Sequence, residues 1–182
     1  PDVIDLLSDF QKTGAPARWV QLSLVGFGDR YPSLHDEIRF VEHSSHEVQQ
    51  STSPAEVLAM LLEGNDRFRA GEPLKRSMER QRAATASGQH PLAVILSCID
   101  SRSPAEAIFD LGLGDVLSVR VAGNITTEEV IGSIEFAAIV AGAKLVAVVG
   151  HTRCGAIESA VTNYCCPDQS LFQECVHARV FF

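Results

Sequence analysis

Three short apolar runs in the second half of the chain constrain its fold more than any other feature: LAVILSC at 92–98, DVLSVRVAGN at 115–124 and KLVAVVGHT at 144–152. Each is rich in Val, Leu and Ile and too short to form a helix of its own. Nearly continuous apolar runs of that length are the pattern of strands covered on both faces. The segments between them, SPAEAIFDLG at 103–112 and TTEEVIGSIEFAAIVAG at 126–142, have helical spacing. Both begin like helices: Ser103, Pro104 and Glu106 in one, and Thr126 with Glu129 in the other, form capping-box patterns, and Gly142 marks a stop. Strand, helix, strand, helix, strand, helix predicts an α/β domain, a parallel sheet with flanking helices. In such sheets ligands gather at the carboxyl ends of the strands. Cys98, Asn124 and His151 all fall there.

The remainder of the chain divides less sharply. Residues 1–50 read as an N-terminal appendage and linker, with an amphipathic stretch at Asp2 to Lys12, a strand-like WVQLSLVGF at 19–27 and an apolar patch at Ile38 to Val41. Polar residues from Ser44 to Ser53 read as a linker. Residues 51–182 are then expected to form the main domain. Its first helix starts at Ser53, where a capping serine, Pro54 at the first helical position and Glu56 three residues on make a complete start signal, and runs to about Phe68.

With 182 residues, 46% of them hydrophobic, the chain can bury one good core. A formal charge of −8 and no Lys/Arg-rich run argue against a nucleic-acid partner, because phosphate binding needs clustered cations. No apolar stretch reaches the ~20 residues of a membrane span. No secretory signal opens the chain, and five cysteines in an ordinary α/β composition point to metal or catalytic use in a reducing compartment. A cytoplasmic location is expected.

Two segments concentrate the chemistry. SCIDSR at 97–102 puts a thiol, a carboxylate and a guanidinium at the alternate positions Cys98, Asp100 and Arg102, an arrangement expected to share one face of an extended segment. GHTRCGA at 150–156 places His151 and Cys154 three apart where the third strand turns into a helix. Two thiolates and an imidazole make a set suited to Zn2+ with an open fourth position. Taken singly, each residue has an ordinary structural explanation: a buried cysteine as a small hydrophobe, Asp100 with Arg102 as a plain ion pair, Asn124 as a turn residue. Cys165, Cys166 and Cys175 show no partner pattern, and His35, His43, His46, His90 and His177 read as surface residues.

CIDSR, VRVAGN and GHTRCGA, in that order and spacing, resemble the signature of the β-class carbonic anhydrases, over about Ser53 to Val161. The resemblance implies zinc on Cys98, His151 and Cys154, and hydration of CO2 to bicarbonate and a proton by zinc-bound hydroxide. It implies that Arg102 holds Asp100 off the metal so that the carboxylate can accept a hydrogen bond beside it. It implies bicarbonate contacts from Gln89 and from the Gly155 backbone, and a homodimer or larger homo-oligomer with its sites at an interface. The segment around WVQLSLVGFGDRY resembles what joins a sulfate-permease-type transporter to a carbonic anhydrase domain in bacterial fusions, which implies a tether to a membrane transporter. After Val161 little of the family pattern continues, so the C-terminal part is expected to be incomplete, with residues 163–182 more mobile than the core.

Other readings are excluded or left open by the same residues. A cysteine-phosphatase loop needs its arginine six residues after the thiol, and position 104 is proline. DLGLGDV precedes a strand instead of joining a strand to a helix, which rules out a dinucleotide fingerprint. An inactive zinc-holding regulatory or assembly module attached to an anion transporter stays open as the alternative.

Overall fold

The computed structural model describes residues 18–23 and 44–165 of the chain. Within them a parallel sheet of four strands has the order β1 (Arg18–Ser23), β4 (Leu145–Gly150), β2 (Ala93–Ser97), β3 (Val116–Arg120). β2 is central and completely buried, in register with β3 on one side (Ala93 opposite Val116, Ser97 opposite Arg120) and β4 on the other (Ala93 opposite Leu145). The three apolar runs are therefore strands, each a little shorter than the run that contains it. WVQLSLVGF also contains a strand, but it is not separate: β1 pairs with β4 and extends the same sheet.

Alternation along β2 divides the core between two layers. Ala93 and Ile95 face Val57 and Leu61 of α2 (Pro54–Ala70) and Ala105 and Ile108 of α4 (Ala105–Ile108). Val94 and Leu96 face Val130 and Ile134 of α5 (Glu128–Glu135), which continues as one wider turn over Phe136–Val140. Each such fully buried Val, Leu or Ile contributes roughly 1.5–3 kcal/mol. α2 begins as read: the Ser53 hydroxyl accepts from the Glu56 N–H and the Glu56 carboxylate accepts from the Ser53 N–H. It ends at Gly71, whose φ of 73° closes the helix in the left-handed region. Its Gly64 is obligatory for a different reason, since a Cβ there would sit 1.7 Å from the Phe109 carbonyl oxygen.

Three local expectations are corrected. Ser44 to Ser53 is not a linker: α1 (His46–Ser51) lies there, and its Gln49 is buried, donating from Nε2 to the carbonyls of Pro91 (2.7 Å) and Ala141 (2.8 Å). A polar side chain that satisfies two buried carbonyls belongs to the core despite its composition. Ser103 does not cap α4, which has only four residues and Pro104 at its cap, because the Ser103 N–H and hydroxyl both turn back toward the Asp100 carbonyl. At α5 the cap is Thr127, one residue later than Thr126, with its hydroxyl accepting from Val130 N and donating to Glu129. Gly142 stops this helix with φ 78°. The remaining helices are α3 (Met78–Ala84) and α6 (Gly155–Cys165). No helix among the described residues is long and apolar enough to cross a membrane. The expected amphipathic stretch at Asp2 to Lys12, the Ile38 to Val41 patch and the tail beyond residue 165 lie outside the described residues.

Candidate metal centre

The ends of β2 and β4 lie side by side, and the chain turns sharply at each. Cys98 is the residue after β2, His151 the residue after β4, and Cys154 the one before α6. The ligand atoms of these three all lie within 4.8 Å of one another, and both thiols are buried and free. Parallel strands bring the set together, because neighbouring strands end at the same edge whatever their separation in sequence. Asn124, the third residue noted at that edge, is a turn residue: its N–H donates to the Val121 carbonyl and its φ is 42°.

The donor set fits a zinc ion. Two sulfurs each about 2.3 Å from a tetrahedral metal lie about 3.8 Å apart, and Cys98 Sγ and Cys154 Sγ are 3.8 Å apart. His151 Nδ1 is 3.0 Å from the Thr152 carbonyl, which can only accept, so the proton is on Nδ1 and the lone pair on Nε2. That Nε2 is buried with no hydrogen-bond partner. The Cys98 thiol is near enough to raise the imidazole's pKa, but no bond of acceptable geometry joins the two. A buried lone pair facing two sulfurs is an arrangement that a cation satisfies.

Burial pushes the Cys98 thiol up, yet the contacts around it win. His151, the backbone N–H groups of Asp100 and Gly123, and Cys154 together bring it down to about 7. The Gly123 N–H donates to Cys98 Sγ at 3.3 Å. Gly123 has φ 65°, and this left-handed turn aims its N–H at the sulfur.

Asp100 and Arg102 do not share the extended face that their spacing suggested. They form a turn in which the Arg102 N–H and Nε both donate to Asp100 Oδ1 (2.9 Å each) and Nη2 donates to Oδ2 (2.7 Å). An Asx-type turn, closed by the aspartate's own side chain, outcompetes continued extension. Arg102, through its side chain and then its backbone, holds the Asp100 carboxyl well below the usual carboxylate range. Oδ1 thus accepts two hydrogen bonds and Oδ2 one, and Oδ2 lies 3.9 Å from His151 Nδ1, beside the ligand set. Arg102 Nη2 also reaches the Arg153 carbonyl (3.2 Å) in the other ligand-bearing turn, where Arg153 takes φ 55°.

Of the other candidates, Gly155 is the first residue of α6, directly after Cys154. Gln89 is exposed and packs near Thr85 and Gly114, at the end of the sheet opposite Cys98. Within one chain it is not brought to the ligands. Sequence reasoning passed over Gly123 and Arg120. Both were visible in VRVAGN, but nothing in the string says that a glycine N–H will meet a thiol twenty-five residues earlier.

Residues 93–179 match the family model described as carbonic anhydrase. Carbonic anhydrase 2 of Mycobacterium tuberculosis (strain CDC 1551 / Oshkosh) is 47% identical over 112 residues, covering 61% of this chain and 54% of that protein. The carbonic anhydrase of Mycolicibacterium smegmatis is 42% identical over 113 residues, covering 62% and 55%. The solved structure of the β-carbonic anhydrase CcaA superposes with a TM-score of 0.47 at 25% identity, over 67% of this chain and 59% of that one. The chain spans about half the length of the curated relatives it matches.

Proposed function

We propose that the carbonic anhydrase domain of this chain is of the β class and catalyses the reversible hydration of CO2 to bicarbonate and a proton, with Zn2+ held by Cys98, His151 and Cys154. The observation that carries the reading is the donor set itself: two buried thiols 3.8 Å apart and a buried imidazole Nε2 with no partner. The match of residues 93–179, which contain all three, to the carbonic anhydrase family model supports it.

Zinc, when bound, supplies a Lewis acid that lowers the pKa of water at its open position toward neutrality. The residues do the rest. Cys98, already lowered to about 7, reaches its ligating form at little cost near neutral pH. The Nδ1–H of His151, donated to Thr152, fixes the ring so that Nε2 points inward. Arg102 occupies both carboxylate oxygens of Asp100 and so keeps the group ionised and turned away from full coordination. The spare lone pair on Oδ2 can then accept a hydrogen bond from the attacking oxygen and orient that oxygen's own lone pair toward carbon, with the carboxylate staying ionised throughout.

The same reading extends to parts of the chain further from the ligands. Gly155 and Gln89 would contact bicarbonate, and the position of Gln89 at the far end of the sheet supports a contact made at a second copy's site in a homo-oligomer. The two free thiols support work in a reducing compartment such as the cytoplasm. The likeness of the WVQLSLVGFGDRY segment to transporter fusions supports a tether to an anion transporter.

Stopped-flow CO2 hydration by the zinc-loaded chain tests the reading. One zinc per chain and hydration that tracks zinc content are expected, with both lost in Cys98→Ser and Cys154→Ser. Full zinc with hydration no faster than buffer would leave a metal-holding module without activity, and stoichiometric zinc in both serine variants would refute the ligand set.

A further inference from the structure

The proposed chemistry gives no role to a side chain that touches both of its halves. β2 and β3 make their last backbone bond where the Val121 N–H meets the Ser97 carbonyl at 3.0 Å. Past that point the chain leaves the sheet, and the carbonyls of Cys98 and Asp100 go beyond the strand ladder. Arg120, the last residue of β3 and the register partner of Ser97, continues the ladder with its side chain. Its Nε donates to the Cys98 carbonyl at 3.0 Å and its Nη2 to the Asp100 carbonyl at 2.6 Å. One edge of a planar, permanently charged fork therefore spans the two carbonyls on either side of Ile99.

Packing does not do this work instead. Cys98 is buried, but Ile99, the residue that follows it, is 60% exposed, so apolar packing does not carry through to Asp100. The other bonds at Asp100 come from within its own turn, from Arg102 and from the Ser103 N–H. They shape the turn but do not fasten it to the sheet. Arg120 does, and it fastens at the residue that ligates and the residue that works beside the ligand.

We propose that Arg120 is a positioning residue for the reaction: by clamping the Cys98 and Asp100 carbonyls it sets the spacing between a metal ligand and the carboxylate that acts next to it. The proposal rests on the zinc-hydratase reading above. Arg120 touches neither substrate nor metal and acts through the two residues it holds. Partners that orient a ligand in this way typically change metal affinity or activity by about 10- to 100-fold when removed. Lysine is not equivalent, because an ammonium offers no planar edge to match two carbonyls at once.

The experiment uses the full zinc-loaded chain and its Arg120→Ala, Arg120→Lys and Arg120→Gln variants. It reads zinc release to a chelator, the visible absorption of the Co2+-substituted protein, CO2 hydration and the thermal midpoint. Arg120→Ala is expected to release zinc about 10- to 100-fold faster, to alter the Co2+ spectrum and to lose hydration of the same order in kcat more than in KM. Added guanidinium should restore part of each effect in the alanine variant, and lysine should fall between alanine and wild type. A lowered thermal midpoint with unchanged Co2+ spectrum, zinc release and kcat would make Arg120 an ordinary structural residue and overturn the proposal. If the alanine variant does not fold, the lysine and glutamine variants are scored by the same criteria. Should the wild type prove inactive toward CO2, the hydratase reading fails, while zinc release and the Co2+ spectrum still decide the clamp.

Discussion

Two aspartates ten residues apart, one on each side of α4, are paired with arginines in opposite ways. Asp100 takes its side-chain hydrogen bonds from its own turn, and its partner Arg102 is 63% exposed. Asp110 is buried, in the left-handed region at φ 47°, and draws its partners from far along the chain. Arg67 of α2 and Arg76 of the following loop each donate to one of its carboxylate oxygens, and the Leu74 N–H adds a third bond at 3.2 Å. Both carboxyls are held below their ordinary range. A depressed carboxylate pKa therefore does not separate a site from a staple here. What separates them is the reach of the partners: bonds within one turn orient a group, whereas bonds across 34 to 43 residues hold elements together.

The sharpest way to break this contrast is to delete each acid. Asp110→Ala leaves two guanidinium groups without their anion in a largely buried place and should destabilise the fold by about 3 kcal/mol or more, measured by urea unfolding. If zinc still binds in the fraction that folds, the site is independent of the staple. A loss no greater than that of an exposed substitution would show that the two centres are not different in kind.

Arg102→Ala should reverse the pattern. We expect zinc to be retained, the unfolding midpoint to stay near that of the wild type and CO2 hydration to fall about 10- to 100-fold. With its carboxylate released, Asp100 is free to close on the metal, while Asp100→Ala leaves that position open. X-ray absorption on the two zinc-loaded variants should therefore report different first shells, and identical shells would refute the restraining role of Arg102.

Acid stability gives a third comparison. For Asp110, burial pushes the pKa up, but Arg67, the Leu74 N–H and Arg76 outweigh it, so the folded value lies below the unfolded one of about 3.9. Its contribution is complete above the unfolded pKa and is lost as pH falls through the folded value. The wild type should lose stability as pH drops below about 4, and Asp110→Asn should show a weaker dependence over that window in pH-jump unfolding. Arg102, the partner of Asp100, is 63% exposed, so solvent screens that pair and Asp100→Asn should soften the acid limb less than Asp110→Asn does. The smallest effect concerns the seam beside the staple. Asn65 Nδ2 donates to the Ile108 carbonyl at 2.9 Å, and Asn65→Ala should cost about 1 kcal/mol with no change in zinc content.

Local signals in the sequence were sufficient for some features and insufficient for others. Continuous apolar runs revealed β2 and β4 because burial on both faces leaves no polar alternation, whereas β3, read the same way, lies at the edge of the described sheet and is only partly buried. Ser53, Pro54 and Glu56 revealed a helix start because all the groups that cap it lie within four residues. The same logic failed at Ser103, whose hydrogen bonds are taken by the Asp100 carbonyl, and at Gln49, whose polarity looked like linker until two buried carbonyls claimed it.

By itself the sequence determined the α/β class, the strands β2, β3 and β4, and the identity of the cysteines, histidine, aspartate and arginine that could serve a metal centre. Those are properties of composition and period, carried by each segment alone. Only the tertiary structure decided that Cys98 and Cys154, fifty-six residues apart, face each other across one sheet edge. It also decided that Asp100 and Arg102 close a turn instead of extending a strand, that Gly123 aims its N–H at a thiol, and that Arg120 spans two carbonyls beyond its own strand. The physical reason is the same in every case. A hydrogen bond or ligand contact between distant residues depends on where parallel strands end side by side, and that alignment is a property of the assembled sheet, not of any stretch of the chain.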